Sequence, residues 1–206
     1  MKPPPFVVLL PVKAPALGKS RLRVPEHLRP GLATAFALDA LHAARSTPGV
    51  TEVVVVTSDS GFTATCAAFG VTSLPDADGG LNASLVGAAT ALAARRPDAV
   101  PVALCADLPC LQPDDLAAAL AQVTGGGSWF VADADGTGTT MYAAPYDVFE
   151  PRFGTASGAA HRAAGATDVI GELPTLRRDV DDEATLAEAM RLGPGPITRE
   201  ALALLL

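Results

Sequence analysis

The sequence has 206 residues, of which 49% are hydrophobic, and it carries a net charge of −7. This length and composition indicate a globular chain with a substantial core and exclude a disordered polypeptide. The negative charge argues against broad binding to nucleic acids or to anionic membranes, because both need a basic surface. We therefore expect no nucleic-acid partner and no membrane partner.

The three cysteines, Cys66, Cys105 and Cys110, lie in apolar surroundings and have neither metal-ligand spacing nor the pattern of a disulfide framework. No apolar run approaches the length of a membrane span. The run at residues 6–12 lacks the long apolar region and the cleavage site of a signal peptide. These features predict reduced, buried thiols in a cytoplasmic protein.

Short apolar runs alternate with segments of helical spacing over the first half of the chain. Residues 53–56 are all β-branched and give the clearest strand signal, and residues 57–60 offer N-cap side chains for the next helix. The predicted strands are 6–12, 53–56, 71–74 and 102–105, and the predicted helices are 30–46, 61–69 and 81–95. This alternation predicts a mostly parallel sheet with helices on both faces.

The order of elements is less regular in the second half. The predicted strands are 129–132, 140–144 and 176–180, and the predicted helices are 114–123, 159–164, 182–192 and a final short helix after residues 193–196. We see no internal repeat and no second domain. The prediction is a single domain over residues 1–206, a three-layer α/β/α sandwich.

Asp107 follows the apolar run 102–105, where the predicted central strand ends. Open α/β sheets bind their ligands at the carboxyl ends of the strands. The acid could instead cap a turn. A charge so close to a buried strand is costly unless it is paired or binds a metal, so we favour a metal ligand.

Asp179 is a second acid at the end of a predicted strand, residues 176–180. Two carboxylates that converge across strand ends can hold Mg²⁺, which keeps water ligands and bridges substrate phosphates. Asp181 and Asp182 compete for this role, and the whole acidic run could simply cap the next helix. We predict that Asp182 is the cap and Asp179 the ligand.

A cationic loop follows the first strand and contains Lys13, Lys19, Arg21 and Arg23. With Gly18, which permits a close approach of the backbone, such a loop suits a phosphate chain. The spacing is not that of a P-loop. On this segment alone, a solvated basic loop would be the preferred interpretation.

Two uncharged loops, residues 135–140 and 153–157, are rich in Gly, Thr and Ser and offer backbone N–H groups and hydroxyls. Ser157 also precedes a predicted short helix, whose amide end could bind an anion. Two ordinary turns are the alternative. His161 could lie near these loops, although a lone histidine is more often structural, and the chain shows no Ser-His-Asp or Cys-His arrangement.

Six short motifs occur together in order. They are residues 10–22, 80–85, 106–109, 135–139, 153–157 and 178–181. With this set the sequence resembles the 2-phospho-L-lactate / phosphoenolpyruvate guanylyltransferase family of coenzyme F420 biosynthesis, over nearly the whole chain. The resemblance implies a nucleotide-diphospho-sugar transferase-like fold.

The resemblance also implies roles for nine residues. Those near the GTP phosphates would be Lys13, Lys19 and Arg21, with Asn82 near the nucleoside. The metal-binding acids, for Mg²⁺, would be Asp107 and Asp179, with Asp107 and Lys19 carrying the catalysis. The phosphorylated three-carbon acid would be bound by Thr139, Gly154 and Ser157.

The implied reaction is transfer of GMP from GTP to phosphoenolpyruvate, which gives enolpyruvyl-diphospho-5'-guanosine and pyrophosphate. Three alternatives stay open: 2-phospho-L-lactate as the acceptor, a glycosyltransferase of the same fold, and a non-catalytic nucleotide-binding protein. The presence of both acids together with the loop lysines argues against the last of these. We favour phosphoenolpyruvate because the abundance of Ala, Gly, Pro and Arg suggests a GC-rich bacterial genome. The resemblance also allows a hand-off of the product to the next enzyme of the pathway.

Overall fold

The computed structural model describes residues 4–13, 22, 24–77 and 79–204. Its strands are β1 (Phe6–Pro11), β2 (Val50–Val56), β3 (Thr72–Leu74), β4 (Val100–Leu104), β5 (Trp129–Ala132), β6 (Thr139–Ala143) and β7 (Thr167–Asp168). They form one seven-stranded sheet in the order β3-β2-β1-β4-β6-β5-β7. β6 is antiparallel to β4 and β5, and every other pairing in the sheet is parallel.

In the described residues, eight α-helices connect and cover the strands. They are α1 (Arg29–Ser46), α2 (Ser60–Ala68), α3 (Leu81–Ala93), α4 (Pro113–Leu120), α5 (Ser157–Ala163), α6 (Pro174–Arg177), α7 (Glu183–Leu192) and α8 (Pro196–Ala203). None of the helices in the described residues is both long enough and apolar enough to span a membrane.

The strands are apolar on both faces because both faces are covered. Val8 and Leu10 of β1 pack in a core with α1, α2 and α4, whereas Val7 and Leu9 pack in a second core with α3. The two cores on opposite sides of the sheet confirm the predicted three-layer, mostly parallel α/β architecture.

Two helices begin at the acids expected to cap them. The carboxylate of Asp59 accepts a hydrogen bond from the backbone N–H of Phe62 at the start of α2. Asp182 accepts one from the backbone N–H of Thr185, whose hydroxyl accepts in return from the backbone N–H of Asp182. This reciprocal capping box confirms Asp182 as the N-cap of α7.

A third helix is capped from a distance. Asp39, in the middle of α1 and only 5% exposed, accepts hydrogen bonds from the backbone N–H groups of Ile197 and Thr198 in the first turn of α8. Gly195 has no room for a Cβ beside that carboxylate. A buried charge in α1 is thereby stabilised by the amide end of the last helix.

The predicted strand at residues 176–180 is wrong. Leu176 belongs to the short helix α6, and residues 178–182 run without regular structure into α7. The prediction was wrong because Leu176 and Val180 are apolar and buried, so the segment between them resembles a strand with apolar ends. The last strand of the sheet is instead β7, which has only two residues and no apolar run to reveal it.

Candidate active site

A groove of about 350 Å³ opens at the carboxyl ends of β1 and β4. We call it the β1–β4 groove. Its lining includes Lys13, which is exposed, and two acids, Asp107 and Asp181. Charges of both signs therefore meet at the edge of the sheet where α/β proteins bind ligands. The rest of the predicted cationic loop, Gly18, Lys19, Arg21 and Arg23, lies outside the described residues.

Asp107 and Asp179 come together although no strand carries Asp179. The backbone N–H of Val180 donates to the Asp107 carbonyl oxygen at 3.0 Å, which holds the chain after α6 against the end of β4. Both aspartates are half-buried. The predicted convergence of the two acids is thus found, by a loop and not by a strand end.

The environment of Asp179 is strongly negative. Burial, and after it the charges of Asp107, Asp181 and Asp133, together raise the pKa of its carboxyl group to about 7. A cation at this point would relieve both the desolvation and the repulsion. Carboxylate oxygens are the ligands that Mg²⁺ prefers.

The described residues contain no group of three or more His, Cys, Asp or Glu side chains arranged to hold a metal ion. Mg²⁺ at phosphoryl-transfer sites is commonly held by one or two carboxylates, with water and substrate phosphates supplying the other ligands. Asp107 and Asp179 fit that partial set. The observation that supports the fit is the raised pKa of Asp179 among its acidic neighbours.

A second group of polar residues lies next to these acids, in the loop between β5 and β6. Asp133 accepts hydrogen bonds from the backbone N–H groups of Thr137 and Gly138, at 2.9 and 2.7 Å. Gly138 has no room for a Cβ beside the Asp133 carboxylate. The loop is therefore shaped by its own first residue.

Helix α5 packs directly on this loop. The backbone N–H of Gly158 donates to the carbonyl of Thr137 at 3.0 Å, and a Cβ on Gly158 would lie 3.1 and 3.2 Å from the carbonyl oxygens of Gly138 and Thr137. Only a glycine allows this approach without displacement. The loop that leads into Thr139 and the helix that begins at Ser157 thereby pack together, and both residues are almost fully buried.

The turn before α5 has an unusual backbone. Gly154 has φ of +139°, and Ala156, the N-cap of α5, has φ of +54° in the left-handed region that non-glycine residues rarely adopt. Such backbone conformations persist only where the surroundings enforce them, and they are frequent at ligand sites. We call residues 133–139 and 150–161 together the 133–161 wall.

His161 lies at the centre of this wall and is 0% exposed. Its Nδ1 lies 3.0 Å from the Thr139 hydroxyl, and its Nε2 accepts a hydrogen bond from the backbone N–H of Arg152 at 2.9 Å. The ring stacks on Phe130 and Tyr142. Burial lowers its pKa to about 4, so the ring is neutral at physiological pH.

Comparison with known proteins agrees with this geometry. A family model described as the MobA-like NTP transferase domain matches residues 25–178. A phosphoenolpyruvate guanylyltransferase of Streptomyces coelicolor is 43% identical, and the alignment covers 98% of this chain and 97% of that protein. One of Salinispora arenicola is 44% identical, with 94% and 91% covered.

This chain belongs to the phosphoenolpyruvate guanylyltransferase family. The match of residues 25–178 to the MobA-like NTP transferase domain and the names of the relatives show that the chain is a nucleotidyltransferase.

Solved structures show the same fold at low identity. A putative nucleotide-diphospho-sugar transferase of Desulfovibrio desulfuricans superposes with a TM-score of 0.62 at 16% identity, and covers 95% of this chain and 97% of its own. A 4-diphosphocytidyl-2C-methyl-D-erythritol synthase gives 0.63 at 12% identity, with 92% and 99% covered. The expected nucleotide-diphospho-sugar transferase-like fold is confirmed.

Asn82, expected near the nucleoside of a guanylyltransferase, has its side chain paired inside the protein. Its amide nitrogen donates to the Phe153 carbonyl at 3.0 Å, and its amide oxygen accepts from the Phe153 N–H at 2.9 Å. It thereby joins the start of α3 to the 133–161 wall. Asn82 also lines a more open groove of about 790 Å³ together with Arg152 and Phe153.

The sequence interpretation overlooked three residues that shape the site of this family member. Asp133 and Gly158 shape and pack the 133–161 wall, as described above. The guanidinium of Arg177 donates to the carbonyl oxygens of Ala132 and Val169 at 2.8 and 2.9 Å, which ties α6 to the ends of β5 and β7. An aspartate before a Gly-Thr-Gly loop was the one signal available, since Asp side chains often bond to backbone N–H groups a few residues on.

Proposed function

We propose that the chain transfers GMP from GTP to phosphoenolpyruvate, releasing pyrophosphate, as a step of coenzyme F420 biosynthesis. The observation that carries this proposal is that the β1–β4 groove and the 133–161 wall meet at Asp107 and Asp179. The backbone link from Val180 to Asp107 and the link from the Cys105 thiol to the Thr139 carbonyl, at 3.3 Å, join the two sides. The names of the relatives at 43 and 44% identity support the same activity.

GTP would occupy the β1–β4 groove. Lys13 is exposed at its wall, and we propose that Lys19 and Arg21 join it at the triphosphate, with Asn82 near the nucleoside. The acid would lie at the 133–161 wall against Thr139, Gly154 and Ser157. A site of uncharged donors beside a metal site suits a compact anion whose charge is partly neutralised by the metal.

In the chemical step, an oxygen of the acid's phosphate forms a bond to the α-phosphorus of GTP. The bond from that phosphorus to the bridging oxygen of the β-phosphate breaks, and pyrophosphate leaves with the electron pair. A phosphate monoester has its second pKa near ~6, so the attacking oxygen is already ionised at neutral pH. No general base is needed. His161 agrees with this, because both its ring nitrogens are occupied in the interior.

Asp107 and Asp179 would hold Mg²⁺, which supplies charge neutralisation at the phosphates when it is bound. The protein's own part is alignment: the groove fixes the triphosphate and the wall fixes the acid for in-line attack. Lys19 and Asp107 are the residues that we propose as catalytic.

We also propose that residues 1–206 act as one domain, because one sheet runs through the described chain. A cytoplasmic location is proposed too. All three cysteines lie in the described part of the chain and none of them forms a disulfide, as expected of a reducing compartment. Hand-off of the product to the next enzyme of the pathway is part of the same proposal.

The test is pyrophosphate release with GTP, Mg²⁺ and each candidate acceptor in turn: phosphoenolpyruvate, 2-phospho-L-lactate and a panel of sugar phosphates. We expect release with phosphoenolpyruvate at the highest kcat/KM. A higher kcat/KM with 2-phospho-L-lactate would mean that this acid is the acceptor. Release only with sugar phosphates, or GTP binding without any release, would overturn the proposal.

A further inference from the structure

We propose that His161 is a positioning residue that fixes the direction of the Thr139 hydroxyl, so that this hydroxyl donates a hydrogen bond to the anionic acid. The inference rests on the proposed function, since it assigns a role inside the acceptor site. It goes further in naming a buried residue that does not touch the substrate and in stating how that residue acts.

The first step is the tautomer of the ring. A backbone N–H can only donate, and the N–H of Arg152 points at Nε2 of His161 at 2.9 Å. Nε2 therefore carries a lone pair. Since the buried ring is neutral, its one proton is on Nδ1.

The second step concerns Thr139. The protonated Nδ1 of His161 lies 3.0 Å from the Thr139 hydroxyl oxygen. This N–H also faces the backbone carbonyl of Ser157, a second acceptor. An N–H group cannot accept a hydrogen bond, so in either case the Thr139 hydroxyl proton turns away from the ring. The hydroxyl of Thr139 is thereby set as a donor, which is the polarity that a phosphate or carboxylate oxygen requires.

The third step is the rigidity of the ring. His161 is held between Phe130 and Tyr142, with ring centroids 5.4 and 4.8 Å away, and the edge of Phe153 lies against it at 5.8 Å. It stands on α5 one turn after Ser157, and its Nε2 bond holds Arg152, two residues before Gly154. One buried ring thus contacts or adjoins each of the three segments proposed to bind the acid.

The experiment is a double-mutant cycle on the Michaelis constants. His161→Gln keeps a polar group near Nε2 but removes the Nδ1 donor, and Thr139→Val removes the hydroxyl. We expect His161→Gln to raise KM for the acid about tenfold, as for the loss of one hydrogen bond to a charged group, and to change KM for GTP less than about twofold. In the Thr139→Val background the same change should raise KM for the acid less than about twofold.

Phe149→Leu is the matched control, because it disturbs the same core next to Tyr142 and leaves Phe130, Tyr142 and both ring nitrogens of His161 in place. It should lower Tm without changing either Michaelis constant. Additive effects of His161→Gln and Thr139→Val, or an equal rise in both Michaelis constants, would overturn the role given to His161.

A second measurement does not depend on the reaction. The ¹⁵N NMR signals of the His161 ring, assigned by their loss in His161→Gln, should show protonated Nδ1 and unprotonated Nε2 from about pH 5 to about pH 8. A protonated Nε2 would overturn the role given to His161, even if the enzyme were active. If the wild type released no pyrophosphate with either acid, the proposed function would fail, and the tautomer would still decide whether His161 orients Thr139.

Discussion

The β1–β4 groove and the 133–161 wall use their polar groups in opposite ways. In the groove, Lys13 and the acids Asp107 and Asp181 line an open space, and nearby carboxylates raise the pKa of Asp179. In the wall, the side chains of Asp133 and His161 are bonded to backbone N–H groups of the protein itself. A bound cation would relieve the repulsion among the acids on the first side, whereas Asp133 and His161 on the second side already have hydrogen-bond partners within the protein.

This difference separates two ways of building a site. The groove side depends on electrostatics and should respond to charge changes and to metal. The wall side depends on preorganised geometry and should respond to backbone and hydrogen-bond changes. Each prediction below tests one side of this contrast.

The largest effect is expected for Asp107→Asn, which removes a charge at the junction of the two sides. Turnover should fall by at least about a thousandfold at saturating substrates, because charge stabilisation worth several kcal/mol is lost, while circular dichroism shows a folded protein. Pyrophosphate release is measured against Mg²⁺ concentration. Near-normal release at saturating Mg²⁺ would remove Asp107 from the metal site.

The buried His161 in the interior of the wall should make the stability of the protein depend on pH. The pKa of His161 is about 4 in the folded protein against an ordinary 6.5, so the unfolded chain binds the extra proton first. The contribution of this group is present above about pH 6.5 and is lost as the pH falls toward 4, by about 3 kcal/mol.

Urea unfolding of the wild type and of His161→Gln across that range measures this loss. The difference in the free energy of unfolding between the two should shrink on acidification. Phe149→Leu, which keeps the histidine and the ring stacked on it, should follow the pH dependence of the wild type. A constant difference from pH 4 to about 7 would show that the ring is not held neutral.

Lys19→Ala tests the proposed role of the cationic loop at the triphosphate. If this lysine contacts the triphosphate, KM for GTP should rise at least about tenfold, as for a charged hydrogen bond worth roughly 1.5–3 kcal/mol. KM for the acid should stay near the wild-type value. Arg191→Ala is the control, because Arg191 is an exposed cation on α7. Equal kinetics for the two variants would mean that the loop is only a solvated surface.

Gly154→Ala tests the wall through its backbone. A Cβ on Gly154 meets nothing within 4 Å, yet φ of +139° is unfavourable for alanine, at a cost of about 1–3 kcal/mol. The turn should relax, and KM for the acid should rise about tenfold while KM for GTP stays within about twofold. Gly165→Ala is matched in having an open surround and φ of +84°, and should lower Tm alone; a rise in KM for GTP in Gly154→Ala would assign the turn to the nucleotide.

The smallest effect is expected at the outer surface of the wall. Arg162 and Asp168 form a two-pronged ion pair at 2.7 and 2.9 Å, but both side chains are more than 40% exposed. Arg162→Ala should cost less than about 1 kcal/mol of stability and leave both Michaelis constants unchanged. A larger kinetic effect would mean that the electrostatic side of the site extends across α5.

The central strands and the position of Asp107 could be predicted from the sequence, because buried parallel strands are continuous apolar runs and a charge at their end is conspicuous. The sequence does not predict β7, because its two residues show no pattern. It also does not predict the helix at residues 174–177, because the buried Leu176 and Val180 make residues 176–180 resemble a strand. The pairing of His161 with Thr139 is also invisible in sequence. It depends on α5 approaching the loop at Gly158, a contact that no local periodicity encodes.

The cap that Asp39 places on α8 has a consequence for biosynthesis of the chain. Its partners, Ile197 and Thr198, follow it by 158 and 159 residues. Until α8 is synthesised, the face of α1 that carries Asp39 lacks the segment that covers it and the amides that offset the burial of its carboxylate. We therefore expect a ribosome-bound chain ending before residue 196 to keep α1 loosely packed and protease-sensitive, and to close the core only when α8 emerges.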